Sequence, residues 1–165
     1  MTSGGSSGSP VVNIDGKAIA LNAGSNTRAA SSFFLPLDRV VRALSLVKSN
    51  KPVSRGTIQT TFFFKTFDEL KRLSLDPTIE EDIRKSFPEA TGMLSVQRVL
   101  PKSPADGVLA PGDIVYKLNG RLIYAFIPIE EVFDDSVGQP VTFTIQRYGF
   151  FHNFIYVIMD LPMLP

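Results

Sequence analysis

No cysteine occurs in this chain, so no disulfide framework holds it together, and the composition fits a reducing compartment. Neither sign of charge dominates: 17 Lys and Arg stand against 16 Asp and Glu, without a basic block. That balance argues against nucleic acid or an anionic membrane as the main partner. Long hydrophobic runs are missing as well. The longest, Phe154 to Met159, falls far short of the roughly 20 residues a spanning helix needs. The first residues lack the charged-then-apolar pattern of a secretory signal, which predicts an intracellular protein. There is no internal repeat and no metal-ligand spacing, so neither a metal nor another cofactor is expected. Histidine occurs once, as His152, in a stretch that reads as a β-hairpin; a lone histidine there is ordinarily solvated.

The residues that are present suffice for a real core. The 165 residues are 44% apolar, enough for one large domain or one and a half small ones. The most informative stretch is Gly5-Ser6-Ser7-Gly8-Ser9-Pro10, running into Val11-Val12-Asn13-Ile14. From Thr2 to Ser9 it is nearly all Gly and Ser, which is also the composition of a flexible linker or tag. The residues after Ser9 are not linker-like. Asp15-Gly16 joins Val11–Ile14 to Lys17–Ala23 as a hairpin turn joins two strands. After the polar loop Gly24–Ser31, Ser32–Leu35 reads as a further strand closed by Pro36. Asp38 reads as the N-cap of a helix over Arg39–Ser49, with Val40, Val41, Leu44 and Val47 on one face covering something apolar.

In order and spacing, the Ser loop, Lys17–Ala23 and Phe33–Val40 resemble the end of the second barrel of the HtrA serine proteases. A serine hydroxyl is a weak nucleophile that needs a base beside it and amides aimed at the developing oxyanion. The resemblance implies that Ser7 is the nucleophile and that the N–H groups of Gly5 and Ser7 line the oxyanion hole. It implies that Leu21, Asn22 and Ala23 run along the bound substrate backbone, and that Ser32-Phe33 lie near the primary specificity pocket. Where the family usually has Gly, this chain has Ser9. The triad's His and Asp precede its Ser in that family, whereas Ser7 stands near the first residue here. The chain alone is therefore expected to hold no complete triad, to leave apolar strand faces uncovered, and to be proteolytically inactive.

Downstream, Asn50–Ser54 reads as a short polar linker. Arg55–Phe64 is strongly strand-forming. Phe67–Leu75 and Thr78–Phe87 read as helices, the second from Ile79, Ile83 and Phe87 recurring every four residues. Then come a strand over Gly92–Leu100, a helix start at Ser103-Pro104-Ala105, and a turn, strand and turn over Pro111–Gly120. A short helix over Ile129–Asp135 and closing strands Val141–Arg147 and Phe154–Met159 complete the pattern. Of Phe62-Phe63-Phe64, one side must face the core, and core packing is also the favoured reading of the other side. Glu130-Glu131 and Asp134-Asp135 read as a solvated face.

This order is similar to a PDZ domain of the HtrA type and covers Arg55 to about Asp160. A PDZ domain takes an extended C-terminal peptide as an added strand, its carboxylate on the amides of a turn. The resemblance implies a carboxylate turn at Gly56, Thr57, Ile58 and Gln59. It places the added strand beside Ile58–Phe62, including Thr60, with Val132 on the flanking helix. Gln59 stands where the family usually has Gly or a small residue, which implies a narrower cradle. The expected fold is mainly β: a partial trypsin-like barrel, then a PDZ domain with two or more helices. The expected organisation is a protease segment over 1–50, a linker over 51–54, a PDZ domain over 55–160 and a tail over 161–165. The expected function is part of a serine endopeptidase (hydrolase) acting on protein or peptide substrates in protein quality control or apoptosis. C-terminal peptides are the expected partners of the second domain, with a homo-oligomer open and a nuclear location implied by resemblance alone. The alternative is a non-catalytic PDZ module for peptide binding or structural contacts.

Overall fold

The structure, a computed structural model, describes residues 5–26 and 31–161. Residues 1–4, residues 27–30 of the predicted Gly24–Ser31 loop, the side chains of Ser25, Asn26, Ser31 and Ser32, and residues 162–165 of the 161–165 tail lie outside the described residues. The chain divides into two compact units, Met1–Val53 and Ser54–Pro165.

The first unit holds β1 (Pro10–Val12), β2 (Ala18–Asn26), β3 (Ser31–Pro36) and α1 (Leu37–Lys48). The strands form an antiparallel sheet in the order β1-β2-β3. Its first hairpin turns where the sequence predicts. The Asn13 side chain accepts the backbone N–H groups of Asp15 and Lys17, both at 3.0 Å, and the Gly16 N–H closes on the Asn13 carbonyl at 3.0 Å. The helix begins earlier than expected. Pro36 occupies the cap position without a side-chain hydrogen bond, and Asp38 falls in the first turn, where its charge favours the N-terminus. Pro36 at once ends the strand and precedes the helix, so no loop intervenes. No residue of α1 is buried, and Val41, Leu44 and Val47 face solvent. Phe33, Phe34 and Ile14 are exposed too, and among the described residues of this unit Asn22 alone is buried. The apolar faces are there, as the sequence predicts, and nothing among the described residues of this unit covers them.

The second unit contains β4 (Gly56–Thr57), β5 (Thr60–Thr66), α2 (Phe67–Lys71), α3 (Pro77–Ser86), β6 (Gly92–Val99), β7 (Ile114–Leu118), β8 (Arg121–Leu122), α4 (Phe126–Asp135), β9 (Pro140–Arg147), β10 (Phe150–Val157) and β11 (Met159–Asp160). The main sheet runs β10-β9-β7-β6-β5, with β8 beside β7, and β11 pairs with β4 apart from it. Successive side chains of a strand point to opposite faces. In β6 and β7 this sends Met93, Ile114 and Tyr116 into a core shared with Phe67, Leu70, Ile79 and Ile83 of α2 and α3. Leu94, Val96, Val115 and Leu118 go to the other face, with Ile129 and Phe133 of α4 and with Phe143 and Ile145 of β9. Covered on both sides, these strands carry apolar residues at consecutive positions, Met93-Leu94 in β6 and Ile114-Val115 in β7.

Several local expectations change. The strand predicted over Arg55–Phe64 is broken at Ile58-Gln59, because Gln59 takes a left-handed conformation, φ 55°. The helix at Phe67 is one short turn, started by a reciprocal pair in which Thr66 and Glu69 cap one another. No helix follows Ser103: residues 101–109 form turns, with Gly107 at φ 73°. The α4 helix starts three residues before the predicted Ile129, with Pro128 accommodated in its first turn. Phe62 is buried while Phe63 and Phe64 are half exposed, so the favoured all-core reading of this triplet does not hold.

Candidate functional site

The Ser loop is a built turn. Ser9 closes it twice on the carbonyl of Ser6, through its N–H at 3.1 Å and its hydroxyl at 2.7 Å. Gly8, third in the turn, has φ 83°, a conformation that glycine adopts without the clash a Cβ would cause. The hydroxymethyl of Ser9 thus reinforces the turn instead of obstructing it. Ser7 stands exposed at the corner.

Asn22 fixes this turn to the sheet. Its backbone accepts from the Gly8 N–H at 2.7 Å and donates to the Ser9 carbonyl at 2.9 Å. Its side-chain amide donates to the Ser6 carbonyl at 3.0 Å and to the Ser6 hydroxyl at 2.9 Å. Asn22 is 4% exposed, so these bonds form where water competes poorly. Among the described residues the N–H groups of Gly5 and Ser7 have no hydrogen-bond partner. Leu21 pairs with Pro10 on one side and Leu35 on the other, Asn22 with Phe34, and the ladder to β3 then skips Ala23. Beyond Asn22, β2 has no strand partner on the β1 side among the described residues. Sequence reasoning named Asn22 for substrate contact; its tie to Ser6 escaped notice, because a buried Asn in a strand carries no signal of its partner. His152 belongs to the other unit, half-buried on β10 with its ring stacked on Phe154 at 6.0 Å.

In the second unit, Gly56 and Thr57 of β4 turn through Ile58 and Gln59 into Thr60, the first residue of β5. The Gln59 N–H donates to the Thr57 hydroxyl at 2.9 Å, and its carbonyl accepts from the Leu100 N–H at 3.0 Å. Ile58 is fully buried. From Thr60 onward β5 pairs only with β6 among the described residues, which leaves its other edge open. Phe62 and Phe133 of α4 lie 6.4 Å apart between ring centroids. Val132, half-buried, packs against the same core.

The acidic pairs of α4 are not all solvated. Asp134 is 5% exposed, accepts the Gly56 N–H at 2.9 Å and pairs with the Arg55 guanidinium at 3.2 Å. Its carbonyl takes the Ser54 hydroxyl at 3.0 Å. Burying a carboxylate is tolerable only with such partners. This clamp sets the spacing between the Gly56–Thr60 bend and α4, and sequence reasoning missed it because the partners lie nearly eighty residues apart. Glu131 meets Arg121 at 3.6 Å.

No family model matches the chain. It is 48% identical over 159 residues to the pro-apoptotic serine protease NMA111 of Candida glabrata, and 52% identical over 148 residues to that of Aspergillus clavatus. The alignments cover 96% and 89% of this chain but only 16% and 14% of those relatives. Among solved structures it resembles an HtrA-type protease, AlgW, with tripeptide, at a TM-score of 0.59 and 18% identity over 94% of this chain and 49% of that one. The same protease with decapeptide superposes at 0.58, with 17% identity over 94% of this chain and 46% of that one. The fold is accordingly mainly β, built of several antiparallel sheets with no closed barrel among the described residues, and is similar to that of an HtrA-type protease.

Proposed function

From a chain that belongs with the HtrA-type serine proteases, we propose that the first unit carries the nucleophile of a serine endopeptidase. In the complete protein Ser7 attacks the peptide carbonyl, a histidine takes its proton, and the Gly5 and Ser7 amides hold the oxyanion. The observation that carries this reading is the Asn22-fixed turn. It exposes the Ser7 hydroxyl at a corner and leaves those two amides unpaired among the described residues. The bare edge of β2 past Asn22, where Ala23 leaves the ladder, suits an extended substrate joining as a further strand. The chain alone is read as inactive, since its one histidine lies in the other unit.

The second unit is read as a peptide-binding PDZ domain, residues 55–160, behind a linker at 51–54. The open edge of β5, with α4 held at the Gly56 bend by Asp134, supports that reading. Nuclear action in apoptosis or quality control rests on resemblance alone, and a fluorescent fusion in fungal cells tests it.

A fluorophosphonate probe tests the catalytic assignment. It labels Ser7 in the full-length protein, and Ser7→Ala abolishes both labelling and cleavage of an unfolded protein. Labelling that survives Ser7→Ala overturns the assignment. A full-length protein that neither takes the label nor cleaves overturns it as well, in favour of a non-catalytic PDZ module on a protease scaffold.

A further inference from the structure

Away from both sites, the second unit holds a cavity of about 190 Å³ walled by Arg72, Leu73, Ser74, Asp113, Arg147 and Tyr148. It lies between the end of α2, the turn before β7 and the β9–β10 hairpin, none of which belongs to β5 or α4. A dry cavity of about 150 Å³ takes a benzene ring, so this one accommodates a ring-sized group with a polar substituent.

Its walls carry charge of both signs. Asp113 is 1% exposed and accepts three hydrogen bonds: from Arg147 Nε and Nη2, both at 2.7 Å, and from the Ala110 N–H at 2.8 Å. Arg147 Nη2 also donates to the Val108 carbonyl at 2.7 Å. The Nη1 of Arg147 has no partner among the described residues, and Arg72, exposed at the rim, forms no ion pair among them. Two guanidinium groups and one carboxylate border the cavity, and Glu69, outside its lining, acts on Arg72.

The backbone around the cavity is held in unfavourable conformations. Of the six non-glycine residues with positive φ among those described, Ser74 at 64° and Tyr148 at 51° both line it. A bulky side chain in that region costs free energy, and such positions concentrate at ligand clamps. The hairpin turn would take Asn at lower cost. Tyr148 recovers nothing by burial, being 81% exposed.

We propose that this cavity binds one carboxylate monoanion on an aromatic or short apolar stem. Arg72 and Arg147 Nη1 hold the carboxylate; Leu73 and Tyr148 hold the stem. A guanidinium matches a planar carboxylate in shape and number of donors. The proposal does not depend on the catalytic reading of Ser7.

The test titrates this chain, labelled with ¹⁵N, with benzoate, with acetyl-Gly-Phe bearing a free carboxylate, and with benzyl alcohol. Saturable shifts of the Ser74, Gly112 and Gly149 amides and of Arg147 Nε are expected with one or both acids and not with the alcohol. Benzoate alone points to a free small acid, the peptide alone to a chain terminus; both support the site. Arg72→Gln weakens binding about tenfold or more. Tyr148→Asn weakens it too, while leaving the fold equally or more stable, because Asn suits the turn. The proposal fails if neither acid saturates by about 10 mM, if the alcohol shifts the same amides equally, or if Arg72→Gln binds like the parent.

Discussion

A Cβ placed on Gly56 would stand 1.9 Å from the carbonyl oxygen of Phe133. The bend that opens the second unit therefore touches the backbone of α4 at the one residue type that permits it, and Asp134 ties the same amide from the next position.

Gly56→Ala must push α4 away and break the Asp134 clamp together. The expected loss is about 3 kcal/mol or more, read as a lower urea midpoint of the second unit. Gly120→Ala is the control. It has left-handed backbone but open space for a Cβ, and it costs about 1 kcal/mol.

Asn22→Asp replaces a donor with an acceptor facing the Ser6 carbonyl. The Ser loop then loses its tie to β2, and the Gly8 amide exchanges with solvent at least about tenfold faster. In the full-length protein, probe labelling of Ser7 falls in parallel although Ser7 itself is untouched.

Alkaline pH erodes the second unit. Burial first, then the hydrogen bond to Asp82 and its charge, push the Tyr116 phenol up to about 12. Burial and the charge of Asp113 push Tyr156 up to about 12, against a smaller opposing pull from Arg147. Both phenols hold their protons more tightly folded than unfolded. Their contribution is complete below the ordinary value of 10.0 and is lost as pH rises through about 12. Urea midpoints should fall across that window, and Tyr116→Phe should flatten the fall. A midpoint constant across the window contradicts it.

The Thr57 hydroxyl occupies the amide of Gln59, one of the groups a peptide carboxylate would need. Thr57→Val frees that amide and is expected to strengthen binding of a peptide with a free C-terminus several-fold, about 1 kcal/mol. The amidated peptide should not respond. Calorimetry with both peptides distinguishes a freed carboxylate cradle from a general loosening of the bend.

Much of the fold was legible because local chemistry decided it. Asn13 and Asp15-Gly16 specify the first hairpin without outside help, and the four-residue recurrence of Ile79 and Ile83 specifies α3. Breaks were harder to read. Arg55–Phe64 reads as one strand-forming run, and the left-handed backbone at Gln59 that divides it, held by the Leu100 N–H on the Gln59 carbonyl, shows only in the fold. At the candidate sites, residue types such as Ser7 were visible in the chain, while their ties were not. Asn22 to Ser6 and Asp134 to Gly56 are pairings across long separations, and nothing near either residue in the sequence announces them.

The unpaired side of β5 has a cost apart from ligand recognition. Phe63 and Phe64 sit half exposed on that strand, and Lys65 is its single charge. Bare edges of this kind invite copies of the same chain to stack edge to edge, and a lysine is the common gatekeeper against it. Lys65 thus keeps the domain dispersed: without it, concentrated solutions should turn cloudy well below the temperature at which the domain melts.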